Sequence, residues 1–219
     1  MTATEMTTLL GLRLEDTAEA NFTAATKLSA LNVAQRKVAN LLDETYLTEL
    51  EVRDAVTTNN TAITNGYITL GGGSTNQTAN IPIRNSIRNV QIAYNSGTPI
   101  YTIMMPFKEV KRLENSYLSS DSASPVSWVW AGLLYIRPMT GMTGLIVYYL
   151  KEPTDIAASN ADCILNVSLH DIVVDLAEAE LWRMDNKSSR AQLAQANAME
   201  QIKILNDRLA VEAPTGVGT

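Results

Sequence analysis

The single histidine of the chain, His170, lies seven residues after its single cysteine, Cys163, and both side chains can do chemistry. A cysteine nucleophile needs a nearby base to form its thiolate, and His170 is the available base. However, the apolar Ile164 and Leu165 follow Cys163, and no glycine-rich turn accompanies it to form an oxyanion hole. The sequence therefore favours a small buried cysteine, and no catalytic residue is predicted.

A metal site at His170 would need two or three further ligands. The chain has no second histidine, and the spacing of a helix over 167–186 directs Asp171, Asp175 and Glu178 away from the imidazole. His170 instead lies at the edge of an apolar stripe at helical spacing, formed by Leu169, Ile172, Val173, Leu176, Ala177, Leu181 and Met184. We predict a structural histidine, with no metal ligands and no cofactor.

One aromatic residue on the same helix suggests a binding surface. Trp182 falls in line with Asp175 and Glu178 on the acidic face, which we expect to be solvated. An exposed tryptophan often marks a protein contact, so these three residues are a candidate contact with another subunit or another protein. The alternative is that the predicted strands between residues 57 and 155 cover Trp182.

The segment LGGGST, residues 70–75, lacks the lysine and the following helix of a phosphate-binding loop. The chain carries a net charge of −6 with a pI near 4.9, so it is not expected to grip nucleic acid. No apolar run approaches the roughly 18 residues of a membrane span, and no membrane partner is expected. Charged residues make up 18% of the chain, which suits either a subunit covered by neighbours or simple compositional drift.

The elements that would position these residues alternate in type along the chain. Apolar spacing predicts a helix over 22–42, a short helix over 44–52, and two C-terminal helices over 167–186 and 188–212. Between them, runs rich in β-branched and aromatic residues predict an antiparallel β-meander of five or six strands, which a helix near 106–118 interrupts. The fold class is therefore α+β, a helical bundle with an inserted meander.

We assign a single domain over 1–212, with a helical core at 1–56 and 164–212 and the meander at 57–155. Residues 213–219 form a flexible tail. The last helix has a stripe that includes Ile202, Leu205 and Leu209. An isolated helix of this length is marginal in water, so it either packs on its own domain or acts as an arm that docks in a neighbour.

Three phrases, in this order, resemble those of the head-to-tail adaptor proteins of tailed bacteriophages. The first is LN-x-AQR, at residues 31–36. The second is a strand pair, in which Tyr135, Arg137 and Pro138 precede Tyr148, Tyr149 and Pro153. The third is a helix that starts with LHDIVV, at residues 169–174. The resemblance covers roughly residues 25–205.

The resemblance implies a structural virion protein of the neck, at the head-tail junction, assembled in the cytoplasm of the bacterial host. Such proteins form a ring, usually of twelve copies, beneath the portal protein. The ring extends the DNA channel, lets DNA pass without sequence-specific binding, and docks the tail nozzle or tail-tube protein. The C-terminal arm would dock on the portal through Met199, Ile202, Leu205, Arg208, Leu209 and Val211.

Three alternatives remain at this point. A tail-completion or stopper protein of the neck would share the structural role but have another neighbour. A small cytoplasmic enzyme would use Cys163 and His170. A ligand-binding module would hold a pocket in the meander.

Overall fold

The computed structural model describes residues 1–59, 65–95, 97–114, 120–157 and 162–212. The chain divides into two compact units. One contains residues 1–50 and 153–219 and is called here the helical unit; the other contains residues 51–152 and is called the β unit. The mixture of helices and sheets confirms the α+β class. The predicted tail, 213–219, lies outside the described residues.

The helical unit contains four α-helices among its described residues. The third packs against the first, second and fourth. They are α1 (Ala3–Arg13), α2 (Ala24–Leu41), α3 (His170–Met184) and α4 (Ser188–Glu212). Helices α2, α3 and α4 confirm the predictions made from their apolar spacing. Leu31 and Val38 of α2 are buried, as are Val173, Ala177 and Leu181 of α3.

Helix α1 was not predicted from the sequence, although its first turn carries a recognisable signal. Thr2 and Glu5 form a capping box, in which the Thr2 hydroxyl accepts from the Glu5 amide and the Glu5 carboxylate accepts from the Thr2 amide. Met6 and Leu10 are fully buried. The signal was obscured because threonines stand between the apolar residues and interrupt the stripe.

The predicted helix over 44–52 is wrong, because the segment forms no continuous helix and its last two residues lie in a strand. Two short 3-10 turns, Glu44–Tyr46 and Thr48–Leu50, are followed directly by the strand β1 (Glu51–Ala55). Asp43 caps the first turn as expected. The strand forms because β1 pairs along its whole length with the segment 146–150, a long-range contact that local helix spacing cannot reveal.

Eight strands of the β unit form two four-stranded sheets, in the orders β1-β8-β3-β4 and β2-β7-β6-β5. Every pair is antiparallel except β5 with β6. Alternate residues of both sheets meet in one apolar cluster that includes Ile68, Val90, Leu134 and Val147. The remaining strands are β2 (Tyr67–Thr69), β3 (Pro82–Tyr94), β4 (Ile100–Tyr101), β5 (Ile103–Met104), β6 (Val126–Trp130), β7 (Leu133–Arg137) and β8 (Met142–Lys151).

These two sheets replace the single meander that was predicted. The hairpin between β6 and β7 is confirmed, with Ala131 and Gly132 both at positive φ in a two-residue turn. The segment after β7 is not a hairpin, because β8 pairs with β1 and β3. Pro138 has no amide hydrogen to extend the β7 ladder, so the chain leaves that sheet after Arg137.

The segment predicted as a helix near 106–118 is a 3-10 helix, Phe107–Glu114. Residues 115–119 lie outside the described residues. The loop 71–78, which follows β2, is closed by bonds from the Gly71 amide to the Thr78 hydroxyl and from the Gly73 amide to the Thr78 carbonyl.

Candidate functional site

His170 and Cys163 are both buried and hold structural contacts. His170 Nε2 lies 2.8 Å from the Leu165 carbonyl oxygen, and its Nδ1 lies 2.8 Å from the Met1 amine. A neutral ring that donates from Nε2 and accepts at Nδ1 satisfies both contacts. Burial raises the pKa of the Cys163 thiol to about 11, so the thiolate is scarce at neutral pH. This geometry is unsuited to nucleophilic catalysis.

The LN-x-AQR phrase on α2 binds the part of the helical unit that follows the β unit in the sequence, at residues 154, 156 and 164. The Asn32 amide pairs with both the amide and the carbonyl of Ile156. The Gln35 side chain donates to the Thr154 carbonyl at 2.8 Å and accepts from the Ile164 amide at 3.2 Å. Because Gln35 is fully buried, these bonds also satisfy its amide. The phrase therefore has a structural role, which sequence reasoning did not identify.

Arg13 at the end of α1 covers the acidic face of α3. Its guanidinium forms a salt bridge with Asp175 and lies 3.5 Å from Glu178. Burial lowers the pKa of Arg13, but the hydrogen bond and charge of Asp175, followed by the charge of Glu178, outweigh it and raise the pKa above its ordinary value. Gln201 of α4 donates to the second Asp175 oxygen at 3.0 Å. The predicted solvated position of Asp175 is wrong, because α1 and α4 pack over it.

Of the two alternatives for Trp182, an exposed or a covered ring, the exposed one is wrong, since only 2% of this residue is exposed. Its indole nitrogen donates to Glu178 at 3.0 Å. Two cations lie over the ring, with Lys187 Nζ at 4.7 Å and Arg190 Cζ at 4.8 Å from its centroid. Lys187 precedes α4 and Arg190 lies in its first turn, so Trp182 joins α3 to α4 and does not present a free aromatic surface.

The open groove beside Trp182 has a volume of about 730 Å³ and is called here the acidic groove. Four carboxylates and two guanidinium groups line it, together with the exposed apolar side chains of Leu193 and Ile204. Its charged lining residues are Arg13, Glu15, Asp175, Glu178, Arg190 and Glu200. The predicted contact residues thus lie together in its wall, but the accessible apolar atoms belong to α4.

The C-terminal helix packs on its own unit for most of its length. Ala191, Ala194, Ala198 and Ile202 are buried. Further along, Tyr46 donates to the Leu205 carbonyl and Asn206 donates to the Leu41 carbonyl, both at 3.0 Å. Ile202 is therefore not available as a docking residue.

Among the other predicted docking residues, Met199 and Arg208 are exposed and Leu205 is half-buried. The side chains of Leu209 and Val211 lie outside the described residues.

The β unit carries an exposed aromatic pair that sequence reasoning did not single out. Trp130, at the end of β6, stacks on Phe107 with ring centroids 5.3 Å apart. Both are about half exposed, at 51% and 52%. Trp128, two residues earlier on the same face of β6, is buried, and both tryptophan rings lie beside Tyr135. The alternation of Trp128 and Trp130 was visible in the sequence, but the position of Phe107 depends on the fold.

Within the described ranges, no group of three or more His, Cys, Asp or Glu side chains could hold a metal ion. In the same ranges, no helix combines the length and the apolar character required to cross a membrane.

Comparisons with known proteins identify a family. A family model described as SU10 adaptor protein matches residues 1–218. Among curated proteins, none matches the chain. The match covers both compact units and includes the α1 segment, which lies outside the range of the resemblance seen in the sequence.

Proposed function

The chain belongs to the SU10 adaptor family, and we propose that it acts as a ring-forming head-to-tail adaptor in the neck of a tailed bacteriophage. As an adaptor of this kind it is a structural component of the virion. In the proposed role, copies of the chain form a ring beneath the portal protein. The ring extends the DNA channel and provides the surface on which the tail assembles.

The observation that carries this proposal is the family match over residues 1–218. Exposed apolar side chains on the helical unit support it. They include Leu12, Val33, Leu41, Met184, Leu193 and Ile204. Apolar side chains that remain exposed in a single copy and cluster in grooves are typical of protein contacts.

We assign the portal contact to the end of α4. Arg208 is exposed, and among the described residues the hydrogen bonds that lie furthest along α4 and join it to the rest of its unit are made by Leu205 and Asn206. The docking segment would therefore comprise Arg208, Leu209 and Val211, with Met199 and Leu205 at its base. Trp182, Asp175 and Glu178 would support the subunit contact from within the wall of the acidic groove.

We assign the tail contact to the exposed aromatic pair of the β unit. Phe107 and Trp130 present a flat apolar surface, and aromatic side chains are enriched at the centres of protein interfaces. The acidic balance of the chain, −6, suits a channel wall that DNA passes without sticking. A tail nozzle or tail-tube protein would be the partner on this side.

The proposal is tested by mixing the purified protein with portal rings and with tail protein. We expect co-sedimentation with the portal and a ring at its base in electron micrographs. A chain that binds tail protein but not the portal would instead favour a tail-completion or stopper protein. A chain that binds neither would contradict the proposed role.

A further inference from the structure

The helical unit carries two exposed apolar surfaces that flank the buried face of α4. The first is the acidic groove, where Leu193, Asn197, Glu200 and Ile204 follow one another at spacings of four and three residues. This spacing places them in a single row along α4. Leu193 is 65% exposed and Ile204 is 46% exposed, so the ends of the row are apolar.

The second surface, called here the basic patch, lies between α2 and α4. It consists of two adjoining grooves of about 560 and 370 Å³ that share Leu41. Exposed Val33, Leu41 and Met199 form its apolar part. Its charged lining residues are Arg36, Lys37, Lys203, Glu200 and Asp207.

The two surfaces differ in the charged groups that they present. Four carboxylates outnumber two guanidinium groups in the acidic groove, whereas three cations and two carboxylates line the basic patch, and Glu200 borders both surfaces. Arg36 and Lys37 are already bridged to Asp155 and Glu180, which leaves the exposed Lys203 as the cation that can face the carboxylates of a partner. Each surface has exposed apolar side chains beside its charges. Apolar contact combined with complementary charge is the pattern by which protein surfaces select a partner and fix its orientation.

The surfaces also point in different directions. On a helical wheel, Leu193 and Ile204 lie on one side of the buried row Ala191, Ala198 and Ile202, while Met199 and Lys203 lie on the other. One subunit therefore cannot offer both surfaces to the same neighbour in a two-fold symmetric dimer. A contact between unlike surfaces generates a ring when the rotation closes.

We propose that the acidic groove of one copy receives the basic patch of the next copy, and that this head-to-tail contact is the lateral interface of the ring. The inference rests on the proposed function, because the ring is part of it. The Val33–Leu41 face of α2 packs along the Leu193–Ile204 row of α4. The side chain of Lys203, which lines the basic patch, then faces the carboxylates of the neighbouring groove.

Site-specific crosslinking tests the direction of this contact. In a Cys163→Ala background, we would prepare Leu193→Cys, Leu41→Cys and the double variant, and treat each with a short bismaleimide after assembly on portal rings. The double variant should give a ladder of multimers. An equal mixture of the two single variants should give dimers and no larger species, and each single variant alone should remain monomeric.

Efficient self-crosslinking of either single variant would overturn the proposal, since it would indicate a two-fold contact. The absence of a ladder from double-variant rings that form on the portal would also overturn it, while leaving the proposed function intact. A ladder formed in solution without portal binding would support the interface and contradict the portal part of the proposed function. If neither crosslinking nor portal binding occurs, both proposals fail.

A charge exchange provides an independent measurement. Lys203→Glu places like charges in contact in the proposed interface, as does Glu15→Lys in the acidic groove. Each should weaken self-association about tenfold in analytical ultracentrifugation. The double variant should recover most of the loss. Glu152→Lys changes the net charge at an exposed residue that lines neither surface, and it should have no effect. Equal losses in all variants would contradict the proposal.

Discussion

Lys27 Nζ lies 3.6 Å from the Asp16 carboxylate, and both side chains are almost completely buried. The pair lies where the chain passes from α1 to α2. Lys27 also donates to the Asp16 carbonyl oxygen at 2.9 Å, and the Asp16 carboxylate accepts from the amides of Asn21 and Phe22. These contacts satisfy both charges and fix the connection that places α1 against α3.

This connection predicts a loss of stability in acid. The backbone hydrogen bond from Asn21 is the main cause that lowers the pKa of Asp16 from its ordinary value of 3.8, with help from Phe22 and Lys27, against an opposing effect of burial. A carboxyl whose pKa is lower in the folded state stabilises the fold above its unfolded pKa. That contribution is lost as the pH falls through the folded pKa. We expect the melting temperature to decrease when the pH is lowered below about 4.

Asp16→Asn provides the comparison for this prediction. The variant should melt at a lower temperature than the wild type at pH 7, and the difference should shrink as the pH is lowered toward 3. Calorimetry over this range measures both effects. A difference that stays constant with pH would show that the ionisation of Asp16 does not contribute.

The Arg13 salt bridge provides a second prediction. Arg13→Met leaves Asp175 buried without its cation, so we expect a loss of about 1–3 kcal/mol in the free energy of unfolding. The matched control is Arg36→Met, because the Arg36–Asp155 bridge is exposed. That change should cost less than about 1 kcal/mol. Urea unfolding measures both values, and equal losses would contradict the assigned role of Arg13.

Most helices could be predicted from the sequence, because their apolar residues recur at helical spacing within one segment. The stripes through Leu31 and Val38 of α2, and through Val173 and Leu181 of α3, identify the buried faces without any partner. The turn between β6 and β7 could also be predicted from neighbouring residues, because Ala131 and Gly132 separate two runs of strand-forming residues. Local pattern was sufficient wherever the relevant contacts lie within one element.

The burial of the predicted contact residues could not be predicted from the sequence, for the opposite reason. Arg13 and Asp175 are separated by 162 positions, and a wheel of α3 alone cannot show that α1 covers its acidic face. The strand β8 has the same property, because its partners β1 and β3 lie far away in sequence. The wheel of α3 also cannot show that Lys187 and Arg190, which lie beyond this helix, cover the ring of Trp182.

Thiol labelling tests the structural assignment of Cys163. Since burial raises the pKa of the thiol to about 11, the native protein should react slowly with a maleimide at pH 7, and urea should restore rapid labelling. Ser29→Cys, at an exposed position of α2, should label rapidly in the native state and serves as the control. Rapid native labelling of Cys163 would reopen the enzymatic alternative.

Two truncations of α4 should separate folding from portal binding. A chain that ends after Asp207 keeps the buried Ile202 and the contacts of Leu205 and Asn206, so it should melt near the wild-type temperature but fail to bind portal rings. A chain that ends after Ala198 also loses the burial of Ile202, which contributes about 1.5–3 kcal/mol. It should be clearly less stable. Undiminished portal binding by the longer truncation would contradict the proposed docking segment.

The aromatic pair of the β unit allows stability and tail binding to be measured separately. Trp130 is half exposed and stacks mainly on Phe107, so Trp130→Ala should cost about 1 kcal/mol of stability or less. The matched change Trp128→Ala removes a buried ring from the neighbouring strand position and should cost about 3–5 kcal/mol.

If Phe107 and Trp130 contact the tail, Trp130→Ala should weaken binding of tail protein at least about tenfold, as expected for a central aromatic contact. Its binding to portal rings should be unchanged. Pull-down of tail protein by preassembled rings measures the first effect, and co-sedimentation with the portal measures the second. Tail binding that survives Trp130→Ala would place the tail contact elsewhere on the β unit.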